Sequence, residues 1–279
     1  MNPPQLHSFR IARLEVLAEH TAASLADATG FFCEFHGRTF LVTNWHVVAG
    51  RHYQTNRPLH RSRALPGTLV IHAHIASSVV PVAAPSSSTS FRISLFDNEG
   101  RPCWLEHPLY GHSVDVIAIE LDSRIPRCNR LYRLDLATEL ARDIKLSVMD
   151  QAFVTGYPLS ASTTPNSLPI YKSGTIASEP GVFDSEPRIY IDGKTKTGMS
   201  GSPVMVKGPA HNGDKAPLSL VGIYSGRDRQ ERTEFEAELG IMWPYKECLV
   251  PTLEAFAGTA SVQRADFATV TEETRLRSS

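Results

Sequence analysis

The feature that most restricts the fold is a ladder of short β-type segments. These run Thr29 to Phe35, Thr39 to Thr43, Thr68 to Ile75, Phe91 to Phe96, Asp115 to Leu121, Gln151 to Thr155, Arg188 to Ile191, Pro203 to Val206 and Leu218 to Tyr224. Each is rich in Val, Ile, Phe or Tyr and is bounded by Gly, Pro, Asn or Asp, which break strands and turn the chain. Segments this short bury their apolar faces only against one another, so the pattern implies barrels or a sandwich. Arg10 to Leu17 fits either strand or helix, with strand favoured. Helical spacing is confined to Asp135 to Ile144, where Leu136 and Leu140 lie one turn apart, and to Glu247 to Phe256, where Leu249, Leu253 and Phe256 share a face. The Ser-rich stretch Ser77 to Ser90 and the basic stretch His52 to Pro66, with Arg57, His60, Arg61 and Arg63, read as exposed loops, and the residues from Gly258 onward as a disordered tail. No internal repeat is visible.

Composition narrows the partners. With 28 Lys and Arg against 29 Asp and Glu the net charge is −1, so no bulk field draws the chain to nucleic acid or to an anionic membrane, and neither is expected as a partner. The start, MNPPQLHSFRIARLEVLAEH, has its most apolar stretch interrupted by Arg13 and Glu15, so no secretory leader is read there. No apolar run approaches the ~18 residues that cross a bilayer. The four cysteines, Cys33, Cys103, Cys128 and Cys248, include no CxxC pair, and no Asn-x-Ser/Thr sequon is present. Reduced thiols in a cytoplasmic protein are the simplest expectation, although an even count also permits two disulfides.

The candidate chemistry lies in Gly198-Met199-Ser200-Gly201-Ser202-Pro203, followed by the apolar run Val204 to Val206. Glycines on both sides of a serine allow a tight turn that exposes the hydroxyl and lets backbone approach a substrate carbonyl. A serine hydroxyl attacks at neutral pH only if a base takes its proton. His46 is the candidate base, at the end of the apolar run Phe40-Leu41-Val42-Thr43-Asn44-Trp45. Asp115, opening Asp115-Val116-Ile117-Ala118-Ile119, is the candidate carboxylate that holds the imidazole tautomer and stabilises the imidazolium. The backbone N–H groups of Gly198 and Ser200 are the candidate oxyanion hole. His112, three residues before Asp115, is the rival base, but its Gly-His-Ser setting is turn-like and reads as solvated or structural.

The blocks TNWHVV, DVIAI and TGMSGSPV, in that order, resemble the three signature blocks of trypsin-like serine peptidases. The order His, Asp, Ser is that of the chymotrypsin type, whereas α/β-hydrolases run Ser, Asp, His. The flanks Thr29-Gly30-Phe31-Phe32, Val154-Thr155-Gly156-Tyr157-Pro158 and Ser219 to Gly226 carry the likeness over residues 10–257, closest in style to intracellular trypsin-like peptidase domains. The resemblance implies an all-β fold of two antiparallel Greek-key β-barrels with a C-terminal helix. It divides the chain into an extension at 1–9, a first barrel at 10–125, a linker with a short helix at 126–147, a second barrel at 148–257 and a tail at 258–279. It implies a serine endopeptidase acting on protein or peptide substrates through an acyl-enzyme on Ser200, needing no cofactor. A catalytically silent binding module and a form gated by an activating partner are the alternatives. Ser225 and Gly226 are implied in substrate binding. Where secreted relatives carry an aspartate before the nucleophile this chain has Met199, so activation by a cleaved N-terminus is not expected. Lys194, at the position that lies at the base of the specificity pocket in digestive relatives, suggests a preference for acidic side chains.

Other chemistries are disfavoured. Gly193-Lys194-Thr195 lacks the earlier glycine of a phosphate-binding loop, Arg188 standing in its place. There is no HExxH, paired Cys/His spacing or acidic calcium loop, so no metal is expected.

Overall fold

The computed structural model describes residues 5–76, 87–126, 128–158, 167–183, 186–208, 217–227 and 239–257. A first sheet is built from β1 (Ile11–Ala18), β2 (Ser24–Phe35), β3 (Arg38–Thr43), β4 (Pro66–Ile75), β5 (Ser87–Ser94), β6 (Ile117–Glu120) and the two-residue β7 (Leu134–Asp135). A second is built from β8 (Gln151–Gly156), β9 (Ile170–Ile176), β10 (Ile189–Asp192), β11 (Pro203–Lys207), β12 (Leu218–Arg227) and β13 (Leu239–Pro244). Helices α1 (Leu6–Phe9), α2 (Trp45–Ala49) and α3 (Leu136–Ala141) are short. A longer helix, α4, spans 245–257.

The second sheet closes as a barrel in the order β10-β13-β12-β11-β8-β9, and the first runs β5-β4-β1-β2-β3-β6 with β7 beside β2. Counted from its own first strand, each sheet places strand four beside one, one beside two, two beside three, three beside six and four beside five. The first sheet lacks only the pairing of five with six, β5 with β6. Residues 102–105 bridge that gap: Cys103 N–H donates to the Leu95 carbonyl (2.9 Å), and Leu105 and Ala118 exchange backbone hydrogen bonds of 2.8 and 3.2 Å. The all-β architecture is thus the expected one, with a correction in the first half. There the sheet is laced shut by isolated bridges, and β7 pairs with β2 in parallel.

Burial explains these elements. In β3 every residue after Arg38 is buried, because that strand lies between the first sheet's interior and the second half of the chain. The largest apolar cluster joins Phe31, Phe32 and Leu41 of the first sheet to Ile223 and Trp243 of the second and to Leu249 and Leu253 of α4. A smaller cluster fills the second barrel with Val154, Ile176, Met199, Tyr224 and Met242.

Several expectations change. Ser87–Ser90, read as loop, belongs to β5, because β4 pairs with it residue by residue from Ile75↔Ser87 to Thr68↔Ser94. A neighbouring edge supplies the hydrogen bonds that a Ser-rich composition does not advertise. Residues 77–86 and the tail from 258 lie outside the described residues. The helix expected over Asp135 to Ile144 spans only Leu136–Ala141: Asp135 caps it, and Asp143 takes a positive φ of 42° just beyond it. Neither β9 nor β13 was anticipated. All four cysteines are free, with Cys33, Cys128 and Cys248 buried. Among the described residues no helix is long and apolar enough to cross a membrane.

Candidate active site

His46 stands in the first turn of α2, which leaves β3 through Asn44. Gly50 ends that helix in the left-handed region (φ 65°), its N–H returning to the His46 carbonyl at 3.0 Å. Asn44 is extended, and its side chain does not cap the helix; Nδ2 donates instead to the Asp115 carbonyl at 2.6 Å. Asp115 occupies the apex of a three-residue turn, closed by Val116 N–H to the Val114 carbonyl at 2.8 Å, just ahead of β6.

The Asp115 carboxylate is fully buried and is held by three donors. His46 N–H reaches Oδ1 at 2.8 Å, His46 Nδ1 lies 2.6 Å from Oδ2, and the Ser225 hydroxyl donates to the same Oδ2. An ionised carboxylate accepting at this position fixes the neutral imidazole with its proton on Nδ1 and leaves Nε2 as the basic nitrogen. The His46 side chain keeps 19% exposure.

Ser200 lies between Gly198 and Gly201, whose φ angles of 95° and 84° are in the region that favours glycine. Its hydroxyl donates to the Ser225 carbonyl at 3.1 Å; among the described residues no hydrogen bond joins it to His46. Ser225 therefore touches both ends of the constellation, its hydroxyl on Asp115 and its carbonyl under Ser200. The N–H groups of Gly198 and Ser200 have no acceptor among the described residues, whereas Gly201 N–H donates to Tyr224 O at 2.8 Å and Ser202 N–H to Met199 O at 3.0 Å. Among the described residues, the backbone donors on either side of Met199 are thus left unused, while Met199 N–H itself donates to Lys196 O at 3.3 Å.

The loop that carries them is fixed from the first sheet. Thr29 of β2 is fully buried. Its Oγ1 donates to the Gly198 carbonyl at 2.8 Å and accepts from Tyr157 N–H at 3.0 Å, while its own N–H donates to the Ser200 carbonyl at 2.8 Å. The Thr29 carbonyl in turn accepts from Thr43 Oγ1 at 2.9 Å. Met199 packs wholly inside the second barrel, so an apolar side chain anchors the loop.

The structure thus brings His46, Asp115, Ser200, Gly198 and Ser225 together, with Gly226 at the rim: a Cβ built on Gly226 would lie 4.0 Å from Ser200 Oγ. Lys194 is exposed, and the buried residue beside it is Thr195. His112 is exposed, and its ring lies tilted against Trp45 at a centroid distance of 5.1 Å. Sequence reasoning missed Thr29, Asn44 and Thr195 as site residues. Among the described residues no group of three or more His, Cys, Asp or Glu side chains is placed to hold a metal ion.

No protein-family model and no curated protein sequence matches the chain. Among solved structures it is similar to the Rv3671c protease of M. tuberculosis. For the inactive form the identity is 16% over 91% of this chain and 97% of that chain, with a TM-score of 0.46. For the active form the figures are 17%, 88%, 85% and 0.46. It is also similar to the serine endoprotease from Yersinia pestis, at 10% identity over 88% of this chain and 64% of that chain, with a TM-score of 0.47.

Proposed function

We propose that the chain is a serine endopeptidase in which Ser200 attacks a peptide carbonyl and carries the acyl group, with His46 and Asp115 completing a catalytic triad. The observation that carries this reading is the fully buried Asp115 carboxylate gripping His46 Nδ1, with the Ser200 hydroxyl tied to the same serine that donates to Asp115. His46 Nε2 takes the Ser200 proton as the hydroxyl oxygen bonds to the carbonyl carbon, and then gives that proton to the departing amine. The N–H groups of Gly198 and Ser200 receive the oxygen that becomes negative, a contribution worth about 3–4 kcal/mol for a single donor. A water molecule activated by His46 releases the acyl group, so no cofactor enters the cycle.

One observation favours a gated variant of this reading. The Ser200 hydroxyl donates to Ser225 O, so that hydrogen bond must be given up before His46 takes the proton. A fluorophosphonate reagent, which modifies activated serine hydroxyls, tests both. Labelling of the wild type and not of Ser200→Ala supports the triad. Labelling only with a partner or polypeptide present supports gating, and none under any condition means a binding module without turnover.

A further inference from the structure

Where β3 passes into α2, three consecutive residues each send a polar atom to the segment that ends at Asp115. The β3–β6 ladder stops at Thr43↔Ile117. Beyond it Asn44 Nδ2 donates to the Asp115 carbonyl at 2.6 Å, Trp45 Nε1 to Glu106 Oε1 at 2.8 Å, and His46 N–H to Asp115 Oδ1 at 2.8 Å. Asn44 thus carries the ladder one step further by its side chain, at the point where the backbone turns into the helix. It stands at the position where Asn, Asp and Ser ordinarily cap a helix, through a side-chain oxygen that accepts from the first turn. Here no such bond forms. Asn44 is fully buried, and among the described residues its Oδ1 has no partner. Stability alone does not account for a residue that forgoes its cap and leaves a buried acceptor unpaired. What Asn44 contributes is the donor, because the reversed amide would bring two oxygens together at the Asp115 carbonyl.

We infer that Asn44 is a positioning residue for the proposed triad, holding the main chain of Asp115 so that its carboxylate is set against His46. The inference rests on the hydrolase reading above. Asp115 lies at the apex of its three-residue turn, ahead of β6, so the sheet does not fix it. Among the described residues the only donor to its carbonyl is Asn44 Nδ2. With the carbonyl held by Asn44 and Oδ1 held by the His46 N–H, Oδ2 is left to meet His46 Nδ1 at 2.6 Å. Without the Asn44 donor the turn can pivot, and a carboxylate displaced from Nδ1 no longer fixes the imidazole tautomer.

Asn44→Ser and Asn44→Asp test this, because both keep a residue of equal capping strength and remove the amide donor, and Asn44→Asp also keeps the shape. Two quantities are read: the rate of Ser200 modification by a small fluorophosphonate, and the NMR resonance of the proton on His46 Nδ1, assigned by its loss in His46→Ala. In the folded variants modification is expected to slow on the order of 10–100-fold. The Nδ1 resonance is expected to move upfield as its hydrogen bond to Asp115 lengthens. Asp135→Ala, which weakens α3 and touches no residue of the site, should keep the wild-type rate and resonance, so that positioning is separated from lost stability. A folded Asn44→Ser or Asn44→Asp protein with wild-type rate and resonance overturns the inference and leaves the hydrolase standing. Failure of both variants to fold also overturns it, since Asn44 would then serve the fold alone. Absence of labelling in the wild type removes the hydrolase reading, and the Nδ1 resonance then still decides whether Asn44 places Asp115.

Discussion

At the residue scale, the proposed site depends on groups that act on Asp115 and on the Ser200 loop as much as on the three side chains proposed to react. Asp115→Asn keeps the shape but replaces an acceptor at Nδ1 with an amide that can donate, so the imidazole presents the wrong tautomer. Turnover is expected to fall by about 10⁴-fold. Ser225→Ala removes one of three donors to the carboxylate and leaves the Ser225 carbonyl in place, so a milder loss of roughly tenfold in kcat with little change in KM is expected. A loss in Ser225→Ala as large as in Asp115→Asn would show that the hydroxyl does more than hold Asp115. Thr29→Val is isosteric but abandons the Gly198 carbonyl and Tyr157 N–H, each a buried group costing about 1–3 kcal/mol when unsatisfied. Both stability in urea and kcat should drop, and Thr29→Ser should restore both; a Thr29→Val protein with normal kcat would show that this link does not set the loop. The proposed triad was legible in the sequence because each member sits in a local pattern of glycines or apolar residues. Thr29 was not, because its partners at Tyr157, Gly198 and Ser200 are remote in the chain and its own neighbours read only as strand.

At the element scale, what could be read was apolar content and what could not was pairing. β9, Ile-Tyr-Lys-Ser-Gly-Thr-Ile, is buried only at its last residue, so no alternation betrays it; its register against β8, from Gln151↔Thr175 to Gly156↔Ile170, makes it a strand. β13 was hidden by its terminal Pro244, tolerated because it closes the strand. The helix α3 shows an element placed to hold another. Asp135 caps it, accepting from Ala137 N–H at 3.0 Å and from Thr138 Oγ1 at 2.6 Å. Its buried Glu139 then accepts from Leu220 N–H at 2.9 Å and pairs with Arg142 at 2.8 Å. Glu139 thereby pins β12, the strand that carries Tyr224, Ser225 and Gly226. Replacing Glu139 with Leu leaves Leu220 N–H buried without an acceptor, so a loss of about 2–3 kcal/mol is expected. Asp135→Ala, which removes only the cap, should cost about 1 kcal/mol. Denaturant midpoints of the two variants check the order, and an equal cost would mean that Glu139 contributes only to the helix and not to β12.

At the scale of the whole molecule, the repeated strand order of the two sheets is absent from the sequence because a shared winding requires matching turns and apolar positions, not matching residues. The halves are also strapped at both ends of the described chain. At the start, Ser8 and Tyr171 share a hydrogen bond of 3.0 Å, carrying α1 to β9 of the second barrel. At the end, α4 returns to the first sheet, where Phe256 meets Phe40 edge-on at 5.7 Å and the Glu247 carbonyl accepts from His107 Nε2 at 3.1 Å. Both straps contain a histidine whose pKa folding lowers. His107 Nδ1 accepts from Leu109 and Tyr110 N–H groups at 3.2 Å each, so a proton there would face two donors. Burial lowers its pKa, against a smaller opposing effect of the Glu247 carbonyl. His7 is pushed down to about 4 by burial, with the Arg10 and Arg142 charges adding to it. In the unfolded chain both titrate near 6.5. The unfolded state therefore binds more protons below that value, and stability must rise with pH across this window. The contribution is complete above about pH 6.5 and is lost as pH falls toward the folded-state values. Urea unfolding from pH 7.5 down to 4.5 should show a falling midpoint, and His107→Gln, which can donate to Glu247 and accept from Leu109 without titrating, should flatten that fall while lowering the midpoint at pH 7.5. Parallel curves for wild type and His107→Gln would place the acid sensitivity elsewhere than in the docking of α4.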